Sequence, residues 1–182
     1  MKKVILIDFD KCTGCMMCTM ACSLAKTESF NPARSRIGIV NWETDGLIVP
    51  VTCQHCEEPV CMFSCPVDAI SKDENNGLMR IDRQACINCK ICRQVCPYGG
   101  PSWDPVAREV VLCDHCEGKP ACVDVCPCDV LKYVELDKDN VSIRLRGMTG
   151  IRKSIIALDK LEKTRPLSNS ASSKKAAKVR CR

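Results

Sequence analysis

Sixteen of the 18 cysteines fall into four groups of four, with spacings that suit metal ligation rather than cross-linking. The first group is Cys12, Cys15, Cys18 and Cys22, written C-x2-C-x2-C-x3-C. The third, Cys86, Cys89, Cys92 and Cys96, has the same spacing and continues with Pro97. The second is Cys53, Cys56, Cys61 and Cys65, followed by Pro66; the fourth is Cys113, Cys116, Cys122 and Cys126, followed by Pro127. These two widen the middle gap to four and five residues and keep the closing C-x3-C-P. Cys128 and Cys181 are left over.

The C-x2-C-x2-C-x3-C-P run is the bacterial ferredoxin pattern for a cubane [4Fe-4S] cluster, in which the fourth cysteine reaches the neighbouring cluster of a two-cluster protein. Three thiolates on one tightly bent loop can each meet a different iron corner. The bend favours residues that tolerate positive φ, and Gly14 and Asn88 stand at the matching positions of groups one and three. The fourth cysteine is expected to open a short helix, with proline in its first turn. Four-cysteine zinc sites pair two knuckles across a longer loop, which these compact runs do not resemble. Spacing alone leaves open which groups share clusters.

The remaining composition agrees with metal. A chain of 182 residues with 4% aromatic side chains has little with which to fill a core. Disulfides would need an oxidising compartment, yet Met1-Lys2-Lys3 leads to only Val4–Ile7 before Asp8, too short a run for an export signal. No stretch is long enough to span a membrane. A cytoplasmic protein with reduced thiols is expected, its clusters replacing buried apolar surface, and its metal-free form largely unfolded.

An internal repeat runs through the cysteines. Group three is group one shifted by 74 residues; group four is group two shifted by 60 at its first two cysteines and 61 at its last two. Neighbours follow suit: Cys53-Gln54-His55-Cys56-Glu57 answers to Cys113-Asp114-His115-Cys116-Glu117. The expected fold class is α+β, a duplicated ferredoxin-like dicluster fold with short strands and helices around the clusters. Strands are expected at 3–7, 36–42, 47–52, 78–82, 109–112 and 130–136, with Asn75-Asn76-Gly77 turning a hairpin between Ile70-Ser71 and 78–81. Beyond Val141 a strand to Leu145, a helix over about 150–163 and a Ser-, Ala- and Lys-rich tail are expected.

The formal net charge of +5 counts every cysteine as neutral. Four oxidised four-thiolate clusters at about −2 each bring the loaded protein to roughly −3. Residues 1–140 carry 15 basic and 20 acidic side chains, whereas 141–182 carry 12 basic and two acidic. The basic extension suits an acidic partner surface or a solvated tail; without interleaved aromatics it does not suggest nucleic acid.

With these motifs in place, the chain resembles the four-cluster ferredoxin-like electron-transfer subunits of molybdenum and tungsten pterin oxidoreductases. The Cys-x-His-Cys of groups two and four and the order of spacings carry the resemblance over residues 1 to about 136. The Phe30-Asn31-Pro32-Ala33-Arg34-Ser35-Arg36-Ile37 stretch narrows it to the small subunits of tungsten aldehyde oxidoreductases and class II benzoyl-CoA reductase. The resemblance implies four [4Fe-4S] clusters: one on Cys12, Cys15, Cys18 and Cys126, a second on Cys22, Cys113, Cys116 and Cys122, a third on Cys53, Cys56, Cys61 and Cys96, and a fourth on Cys65, Cys86, Cys89 and Cys92. It further implies a non-catalytic relay between a ferredoxin or flavoprotein partner and a pterin catalytic subunit, expected to hold tungsten, with no nucleic acid bound and no membrane span. A free polyferredoxin and a zinc-stabilised module are the alternatives. The expected layout is a four-cluster domain over 1–136, with 53–96 inner and 1–52 plus 97–136 outer, then a strand and helix extension over 137–165 and a basic tail over 166–182. Ser23 departs from the pattern by replacing proline after Cys22.

Around the clusters, Met16, Met17, Met20, Ile87, Ile91 and Val95 are expected to pack and exclude water, lowering potentials, whereas Lys90 and Arg93 would raise the potential of their nearest cluster. His55 and His115 are expected in structural hydrogen bonds, and Trp42, Tyr98 and Trp103 in packing. Cys128 is expected to bury as a small apolar residue and Cys181 to be a free thiol. The anaerobically purified protein should be brown, with broad absorbance near the blue. A colourless, zinc-containing protein would contradict the iron–sulfur reading.

Overall fold

A computed structural model describes residues 2–42 and 47–136. The strand and helix expected after Val141, the basic tail and Cys181 lie outside the described residues. Among the described residues, eight short strands pair into four separate two-stranded antiparallel sheets, with four short helices between them. Strand β1 (Lys3–Ile7) pairs with β8 (Leu131–Glu135), Ile5 opposite Tyr133, and so ties the two ends of the described region together. Strands β2 (Ile37–Trp42) and β3 (Leu47–Thr52) form the second sheet. Strands β4 (Ile70–Lys72) and β5 (Met79–Ile81) form the third, closed by the expected Asn75-Asn76-Gly77 turn, where Gly77 has φ +73°. The fourth sheet joins β6 (Ser102–Asp104) to β7 (Glu109–Val111). Strand β6 was not expected, because Ser-Trp-Asp after Gly99-Gly100-Pro101 has no alternating apolar pattern.

The helices are placed differently from expectation. Helix α1 (Met17–Thr27) holds Cys18 and Cys22, while α2 (Val60–Phe63), α3 (Ile91–Val95) and α4 (Ala121–Asp124) each hold only the third cysteine of their group. In groups two, three and four no helix follows the fourth cysteine. Instead Cys65, Cys96 and Cys126 begin tight turns in which the N–H groups of Asp68, Gly99 and Asp129 donate back to the cysteine carbonyls at 3.4–3.5 Å. Pro66, Pro97 and Pro127 occupy the second place of these turns, where a fixed φ near −65° is wanted, and they disfavour helix at the cysteine before them. Asp68, Gly99 and Asp129 all have positive φ. Group one shows the converse. With Ser23 instead of proline the helix continues to Thr27, and the buried Ser23 hydroxyl donates to Met20 O at 2.9 Å while accepting Asn31 N–H at 3.2 Å.

The apolar core is small: Ile5, Ile37, Ile70, Met79, Val110, Leu112, Val130 and Leu131 interleave with buried Cys18, Cys22, Cys53, Cys92, Cys113 and Cys122. Thiols thus occupy places that larger side chains fill in an ordinary core. No helix among the described residues is long and apolar enough to cross a membrane. The β6–β7 hairpin is anchored by Asp104. Its Oδ1 accepts the N–H groups of Val106 and Ala107 at 2.9 Å, and both its oxygens accept Arg34 Nε at 3.1 and 2.9 Å. Burial opposes its ionisation, but the Ala107 N–H and the Arg34 guanidinium outweigh burial and hold the carboxyl below its ordinary range. Asp104→Ala is expected to cost about 2 kcal/mol, less than a fully buried pair because Arg34 remains partly in water. A lower urea midpoint by anaerobic circular dichroism checks this, and an unchanged midpoint would contradict it.

Candidate metal centres

At two open clefts the structure brings together thiols from groups distant in sequence. Cys12, Cys15, Cys18 and Cys126 line one cleft with Met16, Met17, Ile39, Leu131 and Cys128. Cys65, Cys86, Cys89 and Cys92 line a second with Val67, Ile87, Lys90 and Val110. Elsewhere Cys122 feels Cys113, Cys22, Cys116 and Cys18, Cys61 feels Cys96, Cys56 and Cys92, and Cys53 feels Cys113, Cys61 and Cys96, so thiols of all four groups lie near one another. The four ligand sets that the family resemblance implies are labelled centres I (Cys12, Cys15, Cys18, Cys126), II (Cys22, Cys113, Cys116, Cys122), III (Cys53, Cys56, Cys61, Cys96) and IV (Cys65, Cys86, Cys89, Cys92). All sixteen grouped cysteines are free thiols.

Backbone conformation explains how so many thiols converge. Cys15 is flanked by Gly14 (φ +71°) and Met16 (φ +61°), and Cys89 by Asn88 (φ +55°) and Lys90 (φ +65°). Two left-handed residues on either side of one cysteine bend the backbone around the cavity and leave Cys15 and Cys89 exposed at its mouth. Asn88 Oδ1 accepts the Val110 N–H at 3.1 Å, which fastens its loop to β7. In groups two and four the bend lies at His55 (φ +45°) and at His115, Cys116 and Glu117 (φ +54°, +47° and +56°).

Burial governs the electrostatics. It pushes the Cys18 thiol up to about 12 and the Cys61 and Cys113 thiols up to about 11, and raises Cys12, Cys53, Cys92 and Cys122 as well. Neighbouring thiolates add to the effect in every set. Four such thiols ionise together only against a positively charged core, whose binding would release their protons. A soft, cationic iron–sulfur core fits this donor set. Backbone N–H groups complete the surroundings: Arg36 N donates to Cys22 Sγ, Ala69 N to Cys65 Sγ and Gly100 N to Cys96 Sγ, each at 3.3 Å. Such bonds stabilise charge on sulfur and raise a cluster's potential. Sequence reading missed them; the signal was a small residue four places after the cysteine, as in Cys65-x3-Ala69 and Cys96-x3-Gly100.

Charged groups cluster beside centre II. Asp114 Oδ2 accepts Lys26 Nζ at 2.8 Å and Arg36 Nη1 at 2.6 Å, and its Oδ1 accepts Cys116 N–H at 3.0 Å. His55 accepts the Met79 N–H on Nδ1 at 2.9 Å, the expected structural hydrogen bond, which leaves the ring proton on Nε2. The rings of His55 and His115 meet edge to face at 4.5 Å, and Tyr133 stands against His115 at 5.3 Å. Trp103 packs on the core as expected, whereas Met16, Met17 and Ile87 do not pack inside. They are 43%, 48% and 62% exposed, because the left-handed bends carry them to the cavity mouths. Cys128 is half-buried and packs against the core.

Comparison with known proteins agrees with this chemistry. A model described as a 4Fe-4S dicluster domain matches residues 44–136, and one described as a 4Fe-4S binding domain matches residues 3–24. The β subunit of NADH-dependent phenylglyoxylate dehydrogenase from Aromatoleum evansii is 39% identical over 71% of this protein, a match spanning only 30% of that relative's own length. The polyferredoxin-like subunit of aliphatic sulfonate oxidoreductase from Pyrococcus furiosus is 38% identical over 67% of this protein and 70% of its own length. One polypeptide of the anaerobic dimethyl sulfoxide reductase from Escherichia coli K12 is 31% identical over 88% of this protein and 83% of its own length.

Gly100 offers a local test. A Cβ there would lie 2.9 Å from the Cα of Cys53, while its N–H bonds Cys96, so a side chain would prise apart two segments of centre III. Gly100→Ala is expected to lower iron content by about one cluster in four, with the other centres' spectra retained. Undiminished iron and unchanged spectra would contradict this.

Proposed function

The chain belongs to the 4Fe-4S dicluster family, and on that premise we propose that it is the electron-transfer subunit of an oxidoreductase complex, relaying single electrons through four [4Fe-4S] clusters. The observation that carries the reading is that sixteen free thiols lie in the four groups and that two clefts are each lined by four of them drawn from two groups. The proposed ligands are those of centres I to IV. Each [4Fe-4S] core, when bound, accepts and returns one electron at a time. The residues of this protein hold the cores, exclude water from them and set their potentials through backbone N–H groups and nearby charges.

The order of the relay follows from which sets adjoin. Helix α1 gives Cys18 to centre I and Cys22 to centre II, and Cys122 feels Cys18. Cys53 of centre III feels Cys113 of centre II. Cys61 of centre III feels Cys92 of centre IV. The path therefore runs I–II–III–IV, with I and IV at its ends. Matching backbone geometry 74 residues apart at Gly14 and Asn88, and at Met16 and Lys90, supports descent from a duplicated dicluster unit. The proposed layout is one four-cluster domain over 1–136, with 53–96 its inner unit and 1–52 plus 97–136 its outer unit.

At either end we place a partner: a ferredoxin or flavoprotein, and a catalytic subunit carrying a tungsten or molybdenum pterin. The dimethyl sulfoxide reductase and sulfonate oxidoreductase relatives, each named as one component of a larger enzyme, support a subunit role. The proposed site of action is the cytoplasm. Anaerobic purification of the protein from its native host, with metal analysis of whatever accompanies it, tests the reading. Tungsten or molybdenum is expected beside about sixteen iron atoms per chain, beyond the partner's own. A protein that purifies alone, with iron only, would overturn the subunit reading in favour of a free polyferredoxin.

A further inference from the structure

Positions 16 and 90 are one structural place occupied twice. Each caps the start of the helix bearing its group's third cysteine, Met16 at φ +61°, ψ +9° and Lys90 at φ +65°, ψ +8°. Each lines the cavity of an end centre, Met16 that of centre I and Lys90 that of centre IV. Their chemistry is opposite. Among the described residues, the cavity of centre I is lined by no charged side chain other than its thiols, whereas Lys90 is the one charged side chain, thiols aside, lining that of centre IV. The Lys90 ammonium is seated over the Trp103 ring, 3.7 Å from its centroid, so its position is fixed rather than averaged over solvent.

Other charges reinforce or cancel. Three residues further on, Arg93 gives Nε to Pro101 O at 3.3 Å, while its counterpart Thr19 is neutral, buried and bonded to Met16 O at 2.7 Å. Asp68 and Asp129 stand at matched left-handed positions beside the two ends, so their charges offset one another in the comparison. Lys11 lies beside Cys12, but Asp8 neutralises it at 2.8 Å. Arg83, near centre IV, is neutralised in the same way by Glu109 at 3.3 Å.

Adding an electron makes a four-thiolate cluster more negative, and a fixed cation at the cavity wall favours that state. We propose that Lys90, held on Trp103, makes centre IV the more readily reduced of the two end centres, so that the relay has a polarity set at one position of the repeat. This rests on the ligand sets proposed above. It identifies Lys90 as a positioning residue for charge, acting on potential rather than on any reacting atom.

The test is a reciprocal exchange in the full-length, anaerobically purified protein, with potentials read by electron paramagnetic resonance during titration with dithionite. In Lys90→Met, one cluster is expected to shift to lower potential, so that less than half of it is reduced at its wild-type midpoint. In Met16→Lys a different cluster should shift upward, and the double exchange should reverse the order of those two. Lys90→Arg, which keeps a cation able to sit over tryptophan, should retain the wild-type value. Fully iron-loaded Lys90→Met and Met16→Lys proteins with unmoved midpoints would overturn the proposal, and Met16→Lys decides alone if Lys90→Met does not load. Cys89→Ser and Cys15→Ser test the ligand sets separately. Each is expected to abolish or alter one cluster's signal, the one moved by Lys90→Met and by Met16→Lys respectively; unaltered signals would overturn the assignment of centres I and IV itself.

Discussion

Four thiolates facing one cavity repel each other, and withdrawing them from water makes every one of them harder to ionise. That conflict is the constraint on which the rest of the molecule depends. Cys18, Cys61 and Cys113 are pushed up to about 12, 11 and 11 by burial and by their neighbours, so the thiol sets are complete as ligands only around positive charge. An iron–sulfur core supplies that charge and at the same time fills the space where a core of large side chains would otherwise be. The fold then needs little else. Four two-stranded sheets and helices as short as four residues suffice to carry the loops.

The loops themselves obey local backbone rules. Paired left-handed residues around Cys15 and Cys89 make the bend, and in groups two, three and four Cys-Pro begins a tight turn at the fourth cysteine. In the proposed ligand sets the third and fourth cysteines of one group serve different centres, which links adjoining centres through single short segments such as Cys18–Cys22 and Cys61–Cys65. Connection between centres is therefore a consequence of ligand spacing. Differences between centres come from elsewhere: from Lys26 and Arg36 at Asp114, and from Lys90 where the matched position holds methionine.

Much of this was legible in the cysteines. Spacing pointed to [4Fe-4S] chemistry, the 74-residue shift anticipated matched bends at Gly14 and Asn88, and the strands expected at 3–7, 47–52 and 109–112 lie within a residue of those found. Proline was misread, because a residue that suits the first turn of a helix also suits the second place of a tight turn, and nothing in the local sequence separates the two. The apolar residues of the cluster loops were misread as well. Hydrophobicity suggests burial, but a left-handed bend turned Met16, Met17 and Ile87 outward. Strand β6 and the N–H groups of Arg36, Ala69 and Gly100 were invisible for a simpler reason: backbone partners leave almost no trace in side-chain identity.

The central claim is that one polypeptide holds four separate one-electron centres. Anaerobic reductive titration of the purified full-length protein, with reducing equivalents counted against protein and the spins quantified, tests it most directly. The account predicts uptake of about four electrons per molecule, with signals broadened by neighbouring paramagnets. Saturation at about two electrons per molecule, at full iron loading and strongly reducing potential, would contradict it.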